Sequence, residues 1–344
     1  MRKTFEDFTD RYEVTRILRE EELQIEKTIV SEPEEESKEA VEDKETPEEC
    51  TLEAEKTEAM QPIEENSNLL TKEKTVSLEI SDKCFEIASS SVIGTREYQQ
   101  DAVRTRIFES KEENDVFAVG VLCDGMGGME GGEYASNFAA DQLLGMVEKG
   151  VTSWSDFFEE TVKKLNDDVK NLHNEKGEKL RAGTTLTCVV VDKKGCFWCS
   201  VGDSRIYLMR KKQLIQLTMD HNYETTMKAM LELGKIKPEH INPNEKKEAL
   251  TSYLGIPQIT QIGVTRKQMV LEEGDLLLQC SDGLYRALDD QEILDILTQI
   301  SDVEQAAEAL TSLASMIPGA HDNISVVLTR YKGAEEGTVH SLYK

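Results

Sequence analysis

Four aspartates stand at the ends of apolar, strand-like stretches: Asp101, Asp124, Asp282 and Asp322. Asp124 and Asp282 each follow such a stretch and precede a glycine, whereas Asp101 and Asp322 come just before one. If these strand ends converge, the like charges repel one another strongly unless cations hold them together. Hard oxygen ligands, with few histidines and no clustered thiolates, favour Mg²⁺ or Mn²⁺ over zinc. The pattern therefore indicates a site for divalent cations.

The chemistry open to such a site is the transfer of a phosphoryl group to water. A bridged pair of cations polarises a phosphoryl oxygen and supplies a hydroxide near neutral pH. The guanidinium of Arg96 offers a bidentate fork for phosphate oxygens. Any one Asp-Gly pair is also a common structural turn, so the interpretation depends on the combination and on each member lying at a strand end.

The elements that must position these residues alternate between groups of strands and pairs of helices. Hydrophobic periodicity predicts strands at 85–93, 102–108, 115–123, 184–192, 195–201, 204–210, 213–217, 261–265, 275–280 and 323–331, and helices at 132–148, 153–174, 223–233, 290–299 and 303–316. The four strands from 184 to 217 are separated by gaps too short for a crossover helix, so they form antiparallel hairpins. The sequence therefore predicts a layered α+β domain rather than a doubly wound parallel sheet.

Seven motifs, in family order, resemble those of the metal-dependent Ser/Thr protein phosphatases of type 2C, in particular the bacterial members. The motifs are Arg96…Gln100-Asp101, Val121-Leu122-Cys123-Asp124-Gly125-Met126-Gly127-Gly128, Gly183-Thr184-Thr185, Val201-Gly202-Asp203-Ser204-Arg205, Leu217-Thr218-Met219-Asp220-His221, Ser281-Asp282-Gly283 and His321-Asp322-Asn323. The resemblance covers residues 85–330, all of the chain but its tails. It implies a four-layer α-β-β-α sandwich, with two central antiparallel sheets and a centre of two Mn²⁺ or Mg²⁺ ions at one end.

The resemblance also implies a role for each acid of the site. Asp124 would bridge both ions, and the carbonyl of Gly125 would bind one of them. Asp282 and Asp322 would complete the coordination of the other ion, and Asp101 would orient bound waters.

Arg96 would hold the substrate phosphate while the metal-bridging hydroxide attacks phosphorus in line with the Ser/Thr leaving oxygen. Residues 221–254 fall where family members carry a flap beside the active site. His321 is interpreted either as a group beside the ligands that can donate a proton or as a structural histidine. Four residues are expected next to the ligands: Gln100, Asp203, His321 and Asn323.

The chain departs from the family pattern at three places. Gln100 stands where many members have Glu and supplies less charge, so lower affinity for the second ion is expected. Met126 stands where many eukaryotic members have a His that protonates the leaving alkoxide, although bacterial members often share the Met. Residues 179–181, Lys-Leu-Arg, stand where some members have an Asp that helps hold a third metal, which argues against a third ion.

These patterns predict a metal-dependent protein Ser/Thr phosphatase that acts on phosphorylated proteins, the products of a Ser/Thr kinase. An alternative from a different class is a phosphatase-like regulatory or binding module that has lost catalysis. Gln100 and Met126 favour the module, whereas the retained Asp124, Asp282 and Asp322 favour the enzyme.

The composition excludes several classes of partner. The net charge of −27 over 344 residues, without a basic cluster, does not favour nucleic acid. No apolar run is long enough to span a bilayer, and the polar N-terminus does not resemble a signal peptide. Seven scattered cysteines fit reduced thiols, so a cytoplasmic location is predicted. A monomer is expected. The segment Cys196-Phe197-Trp198-Cys199 has the spacing of a zinc or redox motif, but no second pair accompanies it and a strand is predicted there.

The chain divides into three predicted parts. Residues 1–80 contain 11 Lys and Arg against 25 Asp and Glu, and we predict a largely disordered acidic segment there, with a short amphipathic helix near residues 5–25. Residues 84–331 form the predicted phosphatase domain, and residues 332–344 form a short tail. We expect the acidic segment either to tether the chain to a partner or to compete for the active-site cleft.

Overall fold

The computed structural model describes residues 14–16, 76–78, 84–109, 116–127, 130–174, 176–241, 246–319 and 322–333. Within these ranges, two antiparallel sheets lie face to face, and helices cover the outer face of each. This arrangement confirms the predicted α+β sandwich with two central antiparallel sheets.

The first sheet carries Asp101 and Asp124 of the predicted site. Its described strands are β1 (Val14–Arg16), β4 (Asp101–Glu109), β5 (Val116–Gly127), β6 (Ala182–Thr184), β7 (Leu186–Asp192), β8 (Gly195–Val201) and β11 (Gly263–Thr265). Their order across the sheet is β1-β11-β8-β7-β5-β4, and β6 pairs with the far end of β5. The register places β4 and β7 on either side of β5.

The second sheet ends close to the remaining acids. Its described strands are β2 (Val76–Leu78), β3 (Phe85–Val92), β9 (Arg205–Arg210), β10 (Gln213–Gln216), β12 (Leu276–Cys280) and β13 (Ile324–Tyr331). Their order is β10-β9-β12-β13-β3-β2. Because β12 ends just before Asp282 and β13 begins just after Asp322, the central antiparallel pair brings these two acids to one edge.

The helices flank the two sheets. Their bounds are α1 (Glu130–Glu148), α2 (Trp154–Lys170), α3 (Tyr223–Glu232), α4 (Asp282–Ala287), α5 (Asp290–Gln299) and α6 (Val303–Met316), with a short 3₁₀ turn at Pro238–His240. A capping box fixes the start of α5, because Asp289 accepts from the Glu292 N–H and Glu292 accepts from the Asp289 N–H. Among the described helices, none combines the length and the apolar character that a membrane span requires.

Three apolar clusters give the sandwich its four layers. One cluster joins α1 and α2 to the first sheet, and another joins α4, α5 and α6 to the second. The third lies between the two sheets and includes Leu122, Trp198 and Leu277. Strands that are buried on both faces appear in the sequence as near-continuous apolar runs, which is why these strands are easy to recognise there.

The Cys196-Phe197-Trp198-Cys199 segment is part of β8. Cys196 packs between the two sheets, whereas Cys199 packs on the opposite face, against the α1 and α2 side. Side chains three residues apart on a strand point to opposite faces. The two thiols therefore do not share an ion, in agreement with the strand interpretation.

Three differences from the predicted elements concern the site. First, β5 continues through Gly127 instead of ending at Cys123, because β6 pairs with its last residues. Second, the predicted strand 184–192 is divided into β6 and β7. Third, the helix α4 was not predicted, since its six residues are too few to show a helical period. Asp282 therefore begins a helix and does not sit in a turn.

Residues 1–80 contain two short described strands, β1 and β2. β1 pairs with β11 and β2 pairs with β3, so each extends one of the two sheets. The predicted helix near residues 5–25 is wrong at Val14–Arg16, where edge pairing with β11 imposes an extended backbone. The rest of the predicted acidic segment lies outside the described residues, as does the tail beyond residue 333.

Candidate active site

Asp101 and Asp124 face each other at one end of the first sheet. The register of β4 and β5 pairs them directly, and opposed residues of antiparallel strands bring their Cβ atoms to within about 5 Å. Asp101 is only 4% exposed, and its carboxylate accepts a hydrogen bond of 2.8 Å from Ser281 Oγ. Because Ser281 directly precedes Asp282, this bond joins the acidic ends of the two sheets.

The main chain of Asp124 is held from one side by the Gly-Thr-Thr motif. Its N–H donates to Thr185 Oγ1 at 2.9 Å. Its carbonyl oxygen accepts from the Thr185 N–H at 2.8 Å and from Thr184 Oγ1 at 3.0 Å. Thr185 Oγ1 is in turn hydrogen-bonded to Ser204 Oγ at 2.7 Å. These contacts fix the backbone of Asp124 and leave its carboxylate available for a ligand.

Asp282 lies next to Asp124, at the first turn of α4. The two carboxyl groups are close enough for the charge of Asp282 to raise the pKa of Asp124, after burial and Asp101, so the predicted convergence of the second strand end on the first is present. Arg286, one helical turn later, places its Nη2 2.9 Å from Asp282 Oδ2. The same Nη2 lies 3.9 Å from Asp203 Oδ2. Arg286 thus bridges two acids of the site.

Arg96 and Asp322 form the outer rim of the site. Their side chains are 54% and 33% exposed, and Arg96 Nη2 lies 2.8 Å from Asp322 Oδ2. Both residues line an open cavity of about 410 Å³. Arg96 is therefore positioned to meet a ligand that enters from solvent.

Asn323 clamps the loop that carries Arg96. Its Nδ2 donates to the carbonyl oxygens of Ile93 at 2.8 Å and Tyr98 at 3.1 Å. Its Oδ1 accepts from the Gln100 N–H at 2.8 Å. Three bonds from one amide hold residues 93–100 against the start of β13 and so set the position of Arg96. The Asn323 N–H also donates to Asp322 Oδ1 at 3.0 Å, so the same residue orients Asp322.

Gln100 connects this loop to the Asp-Gly segment of β5. Its carbonyl oxygen accepts from the Gly125 N–H at 3.0 Å. Its side chain lies against Gly132, where a Cβ would overlap Gln100 Nε2. The amide of Gln100 therefore packs under the first turn of α1, and the predicted contact with a metal-bound water remains a prediction.

Burial and mutual repulsion act on the acids of the site. Burial, followed by the negative charge of Asp282, raises the pKa of Asp203 to about 7. Burial is also the main reason that the pKa of Asp101 rises to about 7, although hydrogen bonds from two serines lower it. Burial and the charge of Asp101 raise the pKa of Asp124 well above its usual range. Crowded oxygen donors of this kind fit a divalent cation, which would neutralise them.

In the described part of the chain, no three acidic, histidine or cysteine side chains already stand as a ready ligand set. Two acids are turned instead towards arginines, since Asp322 contacts Arg96 and Asp282 contacts Arg286. The predicted binding of an ion by Asp282 and Asp322 would require these two arginines to release their carboxylates, whereas the backbone of Asp124 would need no change.

We expect the metal-free protein to lose stability as the pH rises from about 4 to about 7. The pKa values of Asp101 and Asp203 rise from 3.8 to about 7 on folding, so the folded state holds more protons in this range. The free energy of unfolding then falls by about 1.4 kcal/mol per pH unit for each such group. Urea unfolding in EDTA at pH 5 and pH 7 measures this decrease. The decrease should be smaller in Asp203→Asn, and an equal decrease in both proteins would contradict the assignment.

The Val-Gly-Asp-Ser-Arg motif contacts α4, the helix that begins with Asp282. Asp203 is 5% exposed and reaches the acids through Arg286, as described above. Arg205 pairs with Asp220 at 2.7 Å, and its guanidinium lies 3.6 Å from the ring centroid of Tyr285. Since Tyr285 belongs to α4, this stack positions the helix that carries Asp282.

The two predicted histidines differ in what the structure describes. His221 is buried, and its Nδ1 accepts a hydrogen bond of 3.1 Å from the Gly202 N–H. It therefore joins the start of the predicted flap to the Val-Gly-Asp-Ser-Arg motif. His321 lies outside the described residues.

Sequence reasoning missed Arg286 and Ser281. Arg286 follows Asp282 by four residues, a spacing that indicates an ion pair on a helix. That signal had no meaning while the segment was interpreted as a turn. Ser281 belongs to a matched motif, but its bond to Asp101 was not indicated by the sequence, because that bond joins residues 180 positions apart.

Comparison with known proteins gives a consistent result. A family model described as protein phosphatase 2C matches residues 90–317. Protein phosphatase PhpP of Streptococcus pneumoniae is 32% identical over 211 residues, which are 60% of this chain and 83% of PhpP. Serine/threonine phosphatase stp of Listeria monocytogenes is 28% identical over 238 residues, 67% of this chain and 90% of that protein.

Solved structures agree with these relatives. The serine/threonine phosphatase of S. agalactiae superposes with a TM-score of 0.59 at 28% identity, over 72% of this chain and 100% of the other. The catalytic domain of PstP in complex with two manganese ions gives a TM-score of 0.57 at 26% identity, over 72% and 97% of the two chains. The family match extends from β3 to the end of α6 and contains Asp101, Asp124 and Asp282. The chain belongs to the protein phosphatase 2C family.

Proposed function

We propose that this chain is an active, metal-dependent protein phosphatase that hydrolyses phosphoserine and phosphothreonine. The observation that carries the proposal is the convergence of four acids from both sheets beside one arginine at the rim. These residues are Asp101, Asp124, Asp282, Asp322 and Arg96. Burial raises the pKa values of Asp101, Asp124 and Asp282, and bound cations would relieve the cost of their ionised forms.

The ligands for two Mn²⁺ or Mg²⁺ ions would come from this chain alone. Asp124 and the carbonyl of Gly125 would hold one ion. Asp282 and Asp322 would hold the other ion, which Asp124 would also contact. Asp101, fixed by Ser281, would accept hydrogen bonds from waters in the site. When bound, such ions neutralise the phosphoryl oxygens and supply a nucleophile near neutral pH. The two manganese ions in the PstP complex support this number.

Arg96 would bind the substrate phosphate. Its partner in the structure is Asp322, which it would exchange for two phosphate oxygens once Asp322 binds an ion. The planar guanidinium suits this bidentate contact, and the Asn323 clamp keeps its loop in place. Met126 has no dissociable proton, so the proton for the Ser/Thr leaving oxygen would come from a water molecule.

The substrates would be phosphorylated proteins produced by a Ser/Thr kinase, and the catalytic domain would span residues 84–331. The rim supports a protein substrate, since Arg96 and the cavity beside it are open to solvent. A cytoplasmic location is supported by the five buried cysteines, which are thiols and not disulfides, as expected in a reducing compartment. They are Cys123, Cys188, Cys196, Cys199 and Cys280.

The test is the hydrolysis of a phosphothreonine peptide by the purified full-length chain across a Mn²⁺ titration, with EDTA as the blank. We expect phosphate release that appears with Mn²⁺ and is abolished by EDTA. The Mn²⁺ concentration that gives half of the maximal rate reports the affinity for the more weakly bound ion. A high concentration is expected because Gln100 supplies no charge and Arg286 competes for Asp282. No release at millimolar Mn²⁺ would overturn the proposal and favour the catalytically impaired regulatory module.

A further inference from the structure

The cavity beside the acids has an unusual lining for an acidic protein. Two arginines, Arg96 and Arg286, line it together with an apolar wall formed by Ala287, Ile317 and Pro318. Ile317 is 37% exposed, so the wall opens to solvent at the end of α6. The volume of about 410 Å³ is ample for one or two side chains of a peptide.

Both arginines have partners that the proposed function assigns to ions. Arg96 contacts Asp322, and Arg286 contacts Asp282. A carboxylate that coordinates a divalent cation has its charge neutralised and attracts a guanidinium far less. When ions bind, both arginines therefore turn their charge towards the cavity. Arg96 meets the substrate phosphate. Arg286 keeps only the more distant carboxylate of Asp203, at 3.9 Å, and its exposed guanidinium can then contact a second anion.

Arg286 is held where a second anion can reach it. The preceding residue, Tyr285, stacks on Arg205, and its hydroxyl donates to the Asp203 carbonyl oxygen at 3.2 Å. These contacts fix α4, while the Arg286 side chain itself remains 47% exposed. A guanidinium on a rigid helix is suited to a planar, bidentate anion.

We propose that Arg286 determines substrate specificity by binding a second anionic group next to the phosphorylated residue. The enzyme would then prefer acidic phosphopeptides, whose anion is a carboxylate of Asp or Glu or a second phosphate. The inference rests on the proposed phosphatase activity. It adds a substrate class, since the phosphate itself belongs to Arg96 and the ions.

The experiment measures kcat/KM of the full-length chain with Mn²⁺ on three phosphothreonine peptides. The residues flanking phosphothreonine are Gln in the first peptide, Glu in the second and phosphoserine in the third. We expect the Glu peptide to be preferred over the Gln peptide by about fivefold, the scale of a partly exposed ion pair. If only the phosphoserine peptide is preferred over the Gln peptide, the second anion is a phosphate. If the Glu peptide is preferred as well, the site also binds a carboxylate.

Three variants of the cavity test the assignment. Arg286→Gln should reduce the Glu/Gln ratio of kcat/KM to about one, whereas Arg286→Lys, which keeps a point charge, should retain part of it. Ile317→Glu adds a negative charge to the same cavity and should lower the ratio below that of the unaltered chain. Because Ile317 is a partly exposed apolar residue, this arm does not depend on how Arg286→Gln folds.

The matched control is Arg106→Gln. Arg106 is 49% exposed and pairs with Glu148, so it resembles Arg286 in exposure and pairing, but it lies on β4 away from the acids. Its ratio should equal that of the unaltered chain. Equal kcat/KM for all three peptides, or a full preference retained in Arg286→Gln, would overturn the inference while leaving the phosphatase in place. No hydrolysis of any peptide would overturn the proposed function instead.

Discussion

Asp124→Asn should lower kcat for a phosphothreonine peptide at saturating Mn²⁺ by at least about 10³-fold, which corresponds to ~4 kcal/mol of lost transition-state stabilisation. The substitution keeps the shape of the side chain and removes its charge. The hydrogen bonds of the Asp124 main chain to Thr184 and Thr185 are retained. The loss would therefore come from the missing ligand charge and not from a rearranged sheet.

The same variant should gain stability when no metal is present. Burial and the charge of Asp101 raise the pKa of Asp124, so the ionised side chain destabilises the folded protein at neutral pH. A neutral amide removes that repulsion, and the melting temperature in EDTA at pH 7 should rise. Mn²⁺ should stabilise the unaltered chain but have little effect on the variant.

Asp192→Asn is the matched control for Asp124→Asn. Asp192 ends β7 at the opposite end of the same sheet, where its Oδ1 accepts from the Lys194 and Gly195 N–H groups. An amide oxygen can accept the same bonds, so both turnover and the response to Mn²⁺ should be unchanged. Turnover retained in Asp124→Asn, with this control intact, would remove Asp124 from the catalytic machinery.

The sequence was sufficient to predict the sandwich fold and the acids at one end of it. Residues of strands β5, β7, β8 and β12 are buried on both faces, so their apolar runs stand out without knowledge of their neighbours. The short strands β1 and β2 could not be predicted, because each depends on pairing with a distant edge rather than on its own three residues. The same holds for α4, whose position is set by the contact between Arg205 and Tyr285.

The parts of the site that were not predictable all join segments distant in the chain. Asn323 was expected near the ligands, but its three bonds to residues 93–100 have no signature in the sequence. The contacts of Ser281 with Asp101 and of Arg286 with Asp203 belong to the same group, since they depend on how the two sheets are stacked. Local patterns identify residues that can perform the chemistry, whereas the contacts that orient them are set by tertiary packing.

The glycines after Asp124 and Asp282 show this limit most clearly. A glycine can serve either an unusual backbone conformation or a close approach, and the sequence does not show which. Neither of these two is among the residues with a positive φ, and the structure requires both for close approach. A Cβ on Gly125 would overlap the carbonyl oxygens of Gly132 and Gln100, and a Cβ on Gly283 would overlap the carbonyl oxygen of Asn323. Each Asp-Gly pair therefore allows a neighbouring backbone to reach the acid.

Gly283→Ala should consequently damage both stability and activity. The added methyl group meets backbone atoms of Asn323, which no side-chain rotation can move, so a loss of about 3 kcal/mol in the free energy of unfolding is expected. The shift would displace Asp322 and, through the Asn323 clamp, the loop that carries Arg96. Because a displacement of about 1 Å can cost 10²-fold in rate, kcat/KM should fall by at least about 10²-fold.

Gly145→Ala separates this effect from the general cost of replacing a glycine. Gly145 lies inside α1 with nothing within 4 Å of its Cβ position, so the alanine should stabilise the helix by up to about 1 kcal/mol and leave kcat/KM unchanged. Urea unfolding and peptide hydrolysis on both variants give the comparison. If Gly283→Ala kept full activity, the close approach of α4 and the start of β13 would not be needed for the site, and Asp282 and Asp322 would have to act independently. A parallel loss of stability and turnover, confined to Gly283→Ala, would show that the second glycine motif works by joining two backbones and thereby pairing two acids.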